Sequence, residues 1–560
     1  MHSHEEVSKK IRSKEFFVIK ICRLAKNFMI LLEDVNSSDY FANFVTVCFS
    51  KYKMMRFSVL LLFMSMFLVM SGANAPAILP VPSEIESSGA DVRRDPGKLK
   101  VTVICPDSVR KTIERYSVIS EIIGNGCRVS AFHKLREKIA PESYRLTVKE
   151  NNVDIRVSDY RGFVYALQTL GQLLGSSEGF SRNVTVADGP RCGWRGFMLD
   201  SGRQFQTVDG IKKYIRMASM LKMNVFHWHL TEGLGWRPEI EAFPRLTKVG
   251  GYVAGGVQQQ GSYSKKDIRD VVAYAAAYGI DIMPEIDLPG HSEAALRAYP
   301  ELGCFMDSVR IPETGFTDRI FCAGKDTTLA ALKIILDEIC GLFPGKYIHL
   351  GGDEAPKGQW KKCPDCQNRI RTNGLKDTHD LQLWLSAQLA SHLKTHGRKA
   401  VFWGDVVYSP GYPLPDNSVI QWWNYRGHRD LAVKNALAAN HEVILSPNYY
   451  CYLNFPLEPW RGYGPERTFT MKEAYLSNPA DAALARGDRR IIGVTCALWT
   501  DYNLTQEMLD SRLFPRIFAI SEIMWHKGER KQFDEFRMLT EKALDYFRSK
   551  DFDIDYLQTK

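Results

Sequence analysis

From Arg191 onward, short apolar runs alternate with longer stretches whose apolar residues recur at helical spacing. Phe197–Asp200, Asn224–Leu230, Ile280–Asp287, Lys346–Leu350, Ala400–Trp403, Ser418–Trp423, Glu442–Ser446 and Ile491–Trp499 read as eight strands. Helices are predicted between them over Asp209–Met223, with Thr207 as N-cap, and from the capping box Ser264-x-x-Asp267 to Tyr278, stopped by Gly279. Further helical spacing covers Thr327–Gly341, His379–His396, Asp430–Ala439 and Gln506–Trp525. Eight apolar strands separated mostly by amphipathic helices predict an α/β fold of the (β/α)8 TIM barrel kind over 191–560. An open doubly wound sheet is the alternative. No GxGxxG or P-loop follows any strand, which removes that fold's usual nucleotide chemistry.

Ahead of the barrel the pattern is that of a small α/β domain over 99–190. Leu99–Ile104 reads as a strand. Tyr144–Lys149 and Val153–Val157 alternate at period two around Asn151-Asn152, a hairpin signal. Tyr160–Leu174 then places Phe163, Leu167, Leu170 and Leu174 at helical spacing. No cluster of acids, His or Cys falls here, so the domain reads as a scaffold. Residues 76–98, rich in Pro and Ser, read as a linker.

Residues 57–70 are almost wholly apolar, preceded by Lys51, Lys53 and Arg56 and followed by Ala73-Asn74-Ala75. A basic region, a short apolar core and a small-residue cleavage pattern make 54–75 a signal peptide. A stretch of fourteen residues is too short to span a bilayer comfortably. The expected product is exported, periplasmic or extracellular, with no stable membrane span after signal removal. Met54 and Met55 stand just before Arg56, so translation is expected to start there and 1–53 to reflect start-site choice.

The formal charge of +9 changes little, because ten Lys/Arg against six Asp/Glu in 1–56 supply +4 of it. The rest carries no basic run, so nucleic-acid binding has no compositional support. Twelve cysteines permit disulfides without requiring them. Cys304 and Cys322 bracket a polar loop and are the favoured pair. Cys363-Pro364-Asp365-Cys366 reads as a local loop staple, since no second ligand pair stands at zinc-site spacing.

In a parallel barrel, polar residues at the C-terminal strand ends are the site candidates. Those ends supply Asp200 and Arg203, His229 and Glu232, Asp287 and His291, Asp353 and Glu354, Trp403 and Asp405, Trp422 and Trp423, Tyr450 and Tyr452, and Trp499 and Asp501. Acids recur and aromatics crowd the later strands. Aromatic faces stack on sugar rings, while carboxylates and Arg bind hydroxyls, so the pattern suits a carbohydrate pocket. The strand Tyr347–Leu350 breaks at Gly351-Gly352 and then presents Asp353 and Glu354 side by side. Neighbouring acids raise each other's proton affinity, so one can serve as an acid near neutral pH. A metal reading starts from His227-x-His229 with Asp353, but strands five and six end in Trp rather than in further His ligands. No metal and no cofactor is expected.

Four ordered segments carry a resemblance. Arg195-Gly-Phe-Met-Leu-Asp200-Ser-Gly-Arg203, Asn224–Glu232, Pro284-Glu-Ile-Asp287-Leu-Pro-Gly-His291 and His349-Leu-Gly-Gly-Asp353-Glu354 resemble glycoside hydrolase family 20, the β-N-acetylhexosaminidases. The resemblance covers roughly Leu99 to the C-terminus and implies an exo-acting, retaining enzyme that removes terminal β-linked N-acetylglucosamine or N-acetylgalactosamine from glycans. It implies that the 2-acetamido oxygen is the nucleophile, giving an oxazolinium. Glu354 would be the acid and then the base; Asp353 would hold the acetamido N–H and help keep Glu354 protonated. Arg195 would grip the 3- and 4-hydroxyls, and Tyr452 would aim the acetamido carbonyl. Trp403, Trp423 and Trp499 would wall the pocket, His291 and Glu232 would support the acid, and Asn454 would lie at the rim. Glu232 stands where the family often has Asp, and Asp501, beside the outer hydroxyls, where Glu is more usual. The loops Val253–Ser262 and Leu457–Thr468 are not fixed by the motif, and the CxxC is closer to bacterial members. A disaccharide-releasing lacto-N-biosidase and a non-catalytic glycan-binding protein are the alternatives.

Overall fold

The computed structural model describes residues 77–554, apart from 117, 176–179, 253–259, 307–308, 312–315, 425–430, 457–467 and 502–503. The expected signal peptide, the segment 1–53 and most of both unassigned loops lie outside the described residues.

The small domain is a six-stranded sheet of β1 (Glu84–Val92), β2 (Lys100–Cys105), β3 (Val129–Lys134), β4 (Tyr144–Lys149), β5 (Asn152–Val157) and β6 (Phe180–Asp188), in the order β1-β6-β4-β5-β2-β3. The hairpin β4–β5 stands in the register its alternation predicts, Lys149 opposite Asn152. The helix Tyr160–Leu174 buries Phe163, Leu167, Leu170 and Leu173. Asp159 caps it, accepting from Gly162 N at 2.9 Å. The linker reading of 76–98 is corrected: β1 lies within it and pairs antiparallel with β6 from Glu84 opposite Ala187 to Val92 opposite Phe180. β1 is an edge strand with both faces largely in solvent, so it carries no apolar alternation to betray it.

The barrel closes through eight parallel strands. They are β7 (Trp194–Asp200) and β8 (Val225–His229), then, after a small ribbon of β9 (Thr231–Glu232) and β10 (Gly235–Trp236), β11 (Asp281–Glu285), β12 (Tyr347–His349), β13 (Lys399–Trp403), β14 (Ser418–Trp422), β15 (Glu442–Leu445) and β16 (Ile491–Leu498). All eight expected strands and the TIM barrel are present. Trp194, Val225, Met283, Val401, Val419 and Ile444 pack together inside the lower barrel. The bottom is therefore filled, and chemistry is left to the C-terminal mouth. The capping box forms as read, with Ser264 Oγ accepting from Asp267 N at 3.1 Å and Asp267 Oδ2 accepting from Ser264 N at 2.9 Å. The helix expected over Gln506–Trp525 is two, Gln506–Leu513 and Arg516–Trp525, because Pro515 removes a backbone donor and crowds the preceding turn.

The barrel's lower mouth docks on the small domain through buried polar groups. Lys222 Nζ meets Asp188 Oδ2 at 2.9 Å, and both side chains are fully buried. Tyr144 Oη and Trp525 Nε1 donate to the same oxygen, each at 2.9 Å. Arg195 belongs to this junction too. It is 0% exposed, pairs with Glu142 at 2.5 Å, and donates to Tyr165 Oη, Lys222 O and Cys192 O at 2.9, 2.8 and 2.7 Å.

Candidate active site

At the end of β12 the chain makes a turn that its glycines permit. Gly351 has φ +63°, and a Cβ there would sit 1.7 Å from Asp287 Oδ1. Gly352 has φ +102°, and a Cβ there would sit 2.5 Å from Val406 Cγ2. Gly352 N donates to Asp287 Oδ1 at 3.1 Å, and Gln382 Nε2 donates to Gly352 O at 2.7 Å. The turn is thus pinned from the end of β11 on one side and from the helix Thr378–Thr395 on the other. Glu354 continues it at φ +47°, which is unusual for a residue with a long side chain. The outcome is asymmetric: the Glu354 side chain is 47% exposed and that of Asp353 only 13%.

Below the acids lies a polar hub centred on Glu285. Its carboxylate meets His227 Nε2 at 2.8 Å, His229 Nδ1 at 2.6 Å and His349 Nδ1 at 3.2 Å. Trp403 Nε1 donates to it at 2.7 Å. Burial opposes charge here, but the three imidazoles outweigh it and hold Glu285 well below the usual carboxylate range. Burial likewise opposes a charged His229, yet Glu285 holds that ring well above the ordinary imidazole value. Burial leaves His227 at about 4. Sequence reading named His229 but missed Glu285. Its position at the inward end of β11 was the available signal.

Toward the mouth, Arg203 gathers three acids. It reaches Asp200 Oδ2 at 3.0 Å, Glu232 Oε1 at 2.5 Å and Asp501 Oδ1 at 3.5 Å. Its guanidinium lies 5.0 Å from the Trp499 ring centroid. The assignment of Arg195 to the sugar hydroxyls is therefore corrected. Arg195 opens β7 at the lower mouth, whereas Arg203 follows the strand's C-terminal end. Asn454 Nδ2 donates to Asp501 Oδ2 at 3.1 Å, which brings both expected rim residues to this group.

His291 bridges the Arg203 group, through Glu232, to the acids. Its Nδ1 meets Glu232 Oε1 at 2.9 Å, and its Nε2 lies 3.7 Å from Asp353 Oδ2 and 3.8 Å from Glu354 Oε2. Burial disfavours its charge, but Glu232 and then Asp353 raise it to about 10. Its attraction for those carboxylates is fully present below its ordinary value of about 6.5 and is lost as pH rises through about 10. The melting-temperature gap between the wild type and His291→Gln is expected to be widest near pH 6 and to narrow toward pH 10. A gap independent of pH would contradict the pairing.

Aromatic rings wall the acids. Trp423 and Tyr452 stack with centroids 6.0 Å apart and planes 11° from parallel. Trp499 lies 5.9 Å from Tyr452 and 5.9 Å from Trp403. Trp423 Nε1 donates to Asp405 Oδ2 at 2.6 Å. Burial, and then the charge of Asp287, hold Asp353 well above the usual carboxylate range. Asp353 Oδ1 is buried without a hydrogen-bond partner. An acceptor left bare beside a wall of rings suits a ligand that brings an N–H of its own.

The residues expected at the site converge as Asp353, Glu354, His291, Glu232, Trp403, Trp423, Tyr452, Asn454, Trp499 and Asp501, with Arg195 the exception. Sequence comparison bears on the same region. The family model for the catalytic domain of glycosyl hydrolase family 20 matches residues 192–528, and that for domain 2 of the family matches 75–189. The crystal structure of a β-N-acetylhexosaminidase from Bacteroides fragilis NCTC 9343 is 48% identical, with a TM-score of 0.77 over 85% of this chain and 96% of that one. An exo-β-N-acetylglucosaminidase from Vibrio harveyi, solved with N-acetylglucosamine, is 27% identical with a TM-score of 0.74, covering 86% of this chain and 78% of its own. A β-hexosaminidase from Porphyromonas gingivalis W83 is 34% identical over 500 residues, 82% of this chain. The chain spans 62% of that relative's length.

Proposed function

The chain belongs to glycosyl hydrolase family 20, and from that premise we propose that it is a retaining exo-β-N-acetylhexosaminidase working by substrate assistance. The substrate is a glycan ending in β-linked N-acetylglucosamine or N-acetylgalactosamine. The observation that carries this reading is the bare, buried Asp353 Oδ1 beside the exposed acid Glu354, within a wall of Trp423, Tyr452 and Trp499.

In the proposed reaction the 2-acetamido oxygen attacks the anomeric carbon while Glu354 gives its proton to the departing glycosidic oxygen. The C–O bond breaks and an oxazolinium ring forms. Glu354, now a carboxylate, takes a proton from water as that water opens the ring, so the β configuration is restored. Asp353 Oδ1 accepts the acetamido N–H and balances the positive charge that grows there. In the free enzyme burial favours the neutral form of Asp353, so a cationic intermediate is what draws out its charge. Tyr452 donates to the acetamido oxygen and aims it. Trp403, with its Nε1 committed to Glu285, serves as floor. Arg203, held by Glu232 and Asp501, takes the outer hydroxyls in place of Arg195.

The nucleophile travels with the substrate, so its removal is diagnostic. An aryl β-glucoside, lacking the acetamido group, is expected to show kcat/KM lower than the aryl β-N-acetylglucosaminide by at least about 10³-fold, given the effective molarity of intramolecular attack. Comparable rates on both would refute the mechanism. We also propose an extracytoplasmic location, supported by the leader pattern at 57–75 alone. Among the described residues no helix is long and apolar enough to cross a membrane.

A further inference from the structure

We infer that Cys304, Cys322, Cys363 and Cys366 hold a structural zinc ion that ties the loop after β11 to the loop after β12. The four sulfurs all lie within 4.8 Å of one another, and every one of the four residues is buried. Cys304–Cys366, Cys322–Cys363 and Cys322–Cys366 are 3.8, 3.8 and 3.6 Å apart. A cation about 2.3 Å from each of four tetrahedral thiolates sets neighbouring sulfurs about 3.8 Å apart. The spacing is therefore that of sulfurs around a common centre. A disulfide would bring one pair to about 2.05 Å and send the other two sulfurs elsewhere. A multi-iron cluster would spread its thiolates well beyond this spacing.

The surroundings are built for the same end. Cys363 and Cys366 open the helix Pro364–Thr372, whose N-terminal dipole favours thiolate. Gly324 lets the other loop press in, since a Cβ there would lie 2.2 Å from the carbonyl carbon of Asp365. The loop-staple reading of the CxxC and the pairing of Cys304 with Cys322 give way to one four-residue cluster. Sequence spacing hid it, because its two halves meet only when β11 and β12 lie side by side.

The clamp has a position that matters. Phe321, next to Cys322, donates its N–H to Pro289 O at 3.1 Å, two residues before His291. Trp360 Nε1 donates back to Phe321 O at 3.0 Å, joining that strand of loop to the segment that follows Glu354. The ion would thus hold His291 and the acid pair in mutual register from behind, taking no part in the reaction.

The test is independent of catalysis. Full-length protein purified without added metal or reductant is analysed by elemental mass spectrometry and intact mass. One equivalent of zinc per chain is expected, with the four thiols alkylated only after unfolding in chelator. Cys363→Ser/Cys366→Ser is expected to lose the zinc. Because that variant can misfold, wild-type protein produced with cobalt supplies a second readout, the intense visible ligand-field bands and near-ultraviolet charge-transfer bands of a tetrahedral cobalt thiolate. Metal-free protein overturns the inference, whether its mass shows disulfides or free thiols, and so does stoichiometric iron in place of zinc.

Discussion

Glu354→Gln is expected to lower kcat on an aryl β-N-acetylglucosaminide by about 10²–10⁴-fold, the usual contribution of a positioned general acid and base. KM should stay within a few-fold, because the acid acts at the glycosidic oxygen and leaves the acetamido and ring contacts in place. The melting temperature should not move. Glu354 is half-exposed, and its nearest ionic neighbour, His291 Nε2, is 3.8 Å away. Natural glycans, whose leaving hydroxyls need a full proton, should suffer more than activated aryl substrates. Steady-state kinetics on both substrate types with a thermal melt decides the matter. Turnover near the wild-type rate would remove Glu354 from the chemistry, while a large drop in melting temperature would make it a structural residue.

The two arginines of one short segment should separate cleanly. Arg203→Met is expected to lower kcat/KM by about 10²-fold or more, since each charge-assisted hydrogen bond to a hydroxyl contributes roughly 1.5–3 kcal/mol. It should also destabilise the fold, because Glu232 and Asp200 lose a cation while buried. Arg195→Met should behave differently. It strands Glu142 at the domain junction and is expected to cost roughly 3–5 kcal/mol of stability, with KM unchanged in the folded fraction. The measurement is KM and kcat beside urea denaturation for both variants. A KM effect in Arg195→Met with none in Arg203→Met would reverse the assignment.

That contrast shows where sequence reading was sharp and where it was blunt. The barrel was legible because each buried parallel strand is a continuous apolar run and each helix carries a one-sided stripe. The acid pair was legible because two glycines in succession at a strand end announce a turn. The arginines were confused because both belong to one recognisable stretch. Yet a strand rises about 3.3 Å per residue, so the residues between Arg195 and Asp200 carry the chain from one mouth of the barrel to the other. Only the second arginine lies past the C-terminal end, and the strand-end rule applied strictly would have chosen it. β1 was illegible for another reason: its contribution is backbone pairing at an edge, which leaves no mark on side-chain pattern. Glu285 was passed over because one acid inside an apolar run gives no sign of the three imidazoles that fold around it.

The Lys222–Asp188 pair makes the two modules indivisible. A chimera that transplanted the barrel alone would bare an ammonium whose counter-charge stayed behind on the discarded sheet, together with an orphaned indole from Trp525. Recombination between relatives of this family should therefore succeed when both modules travel as one cassette and fail when the crossover falls between them.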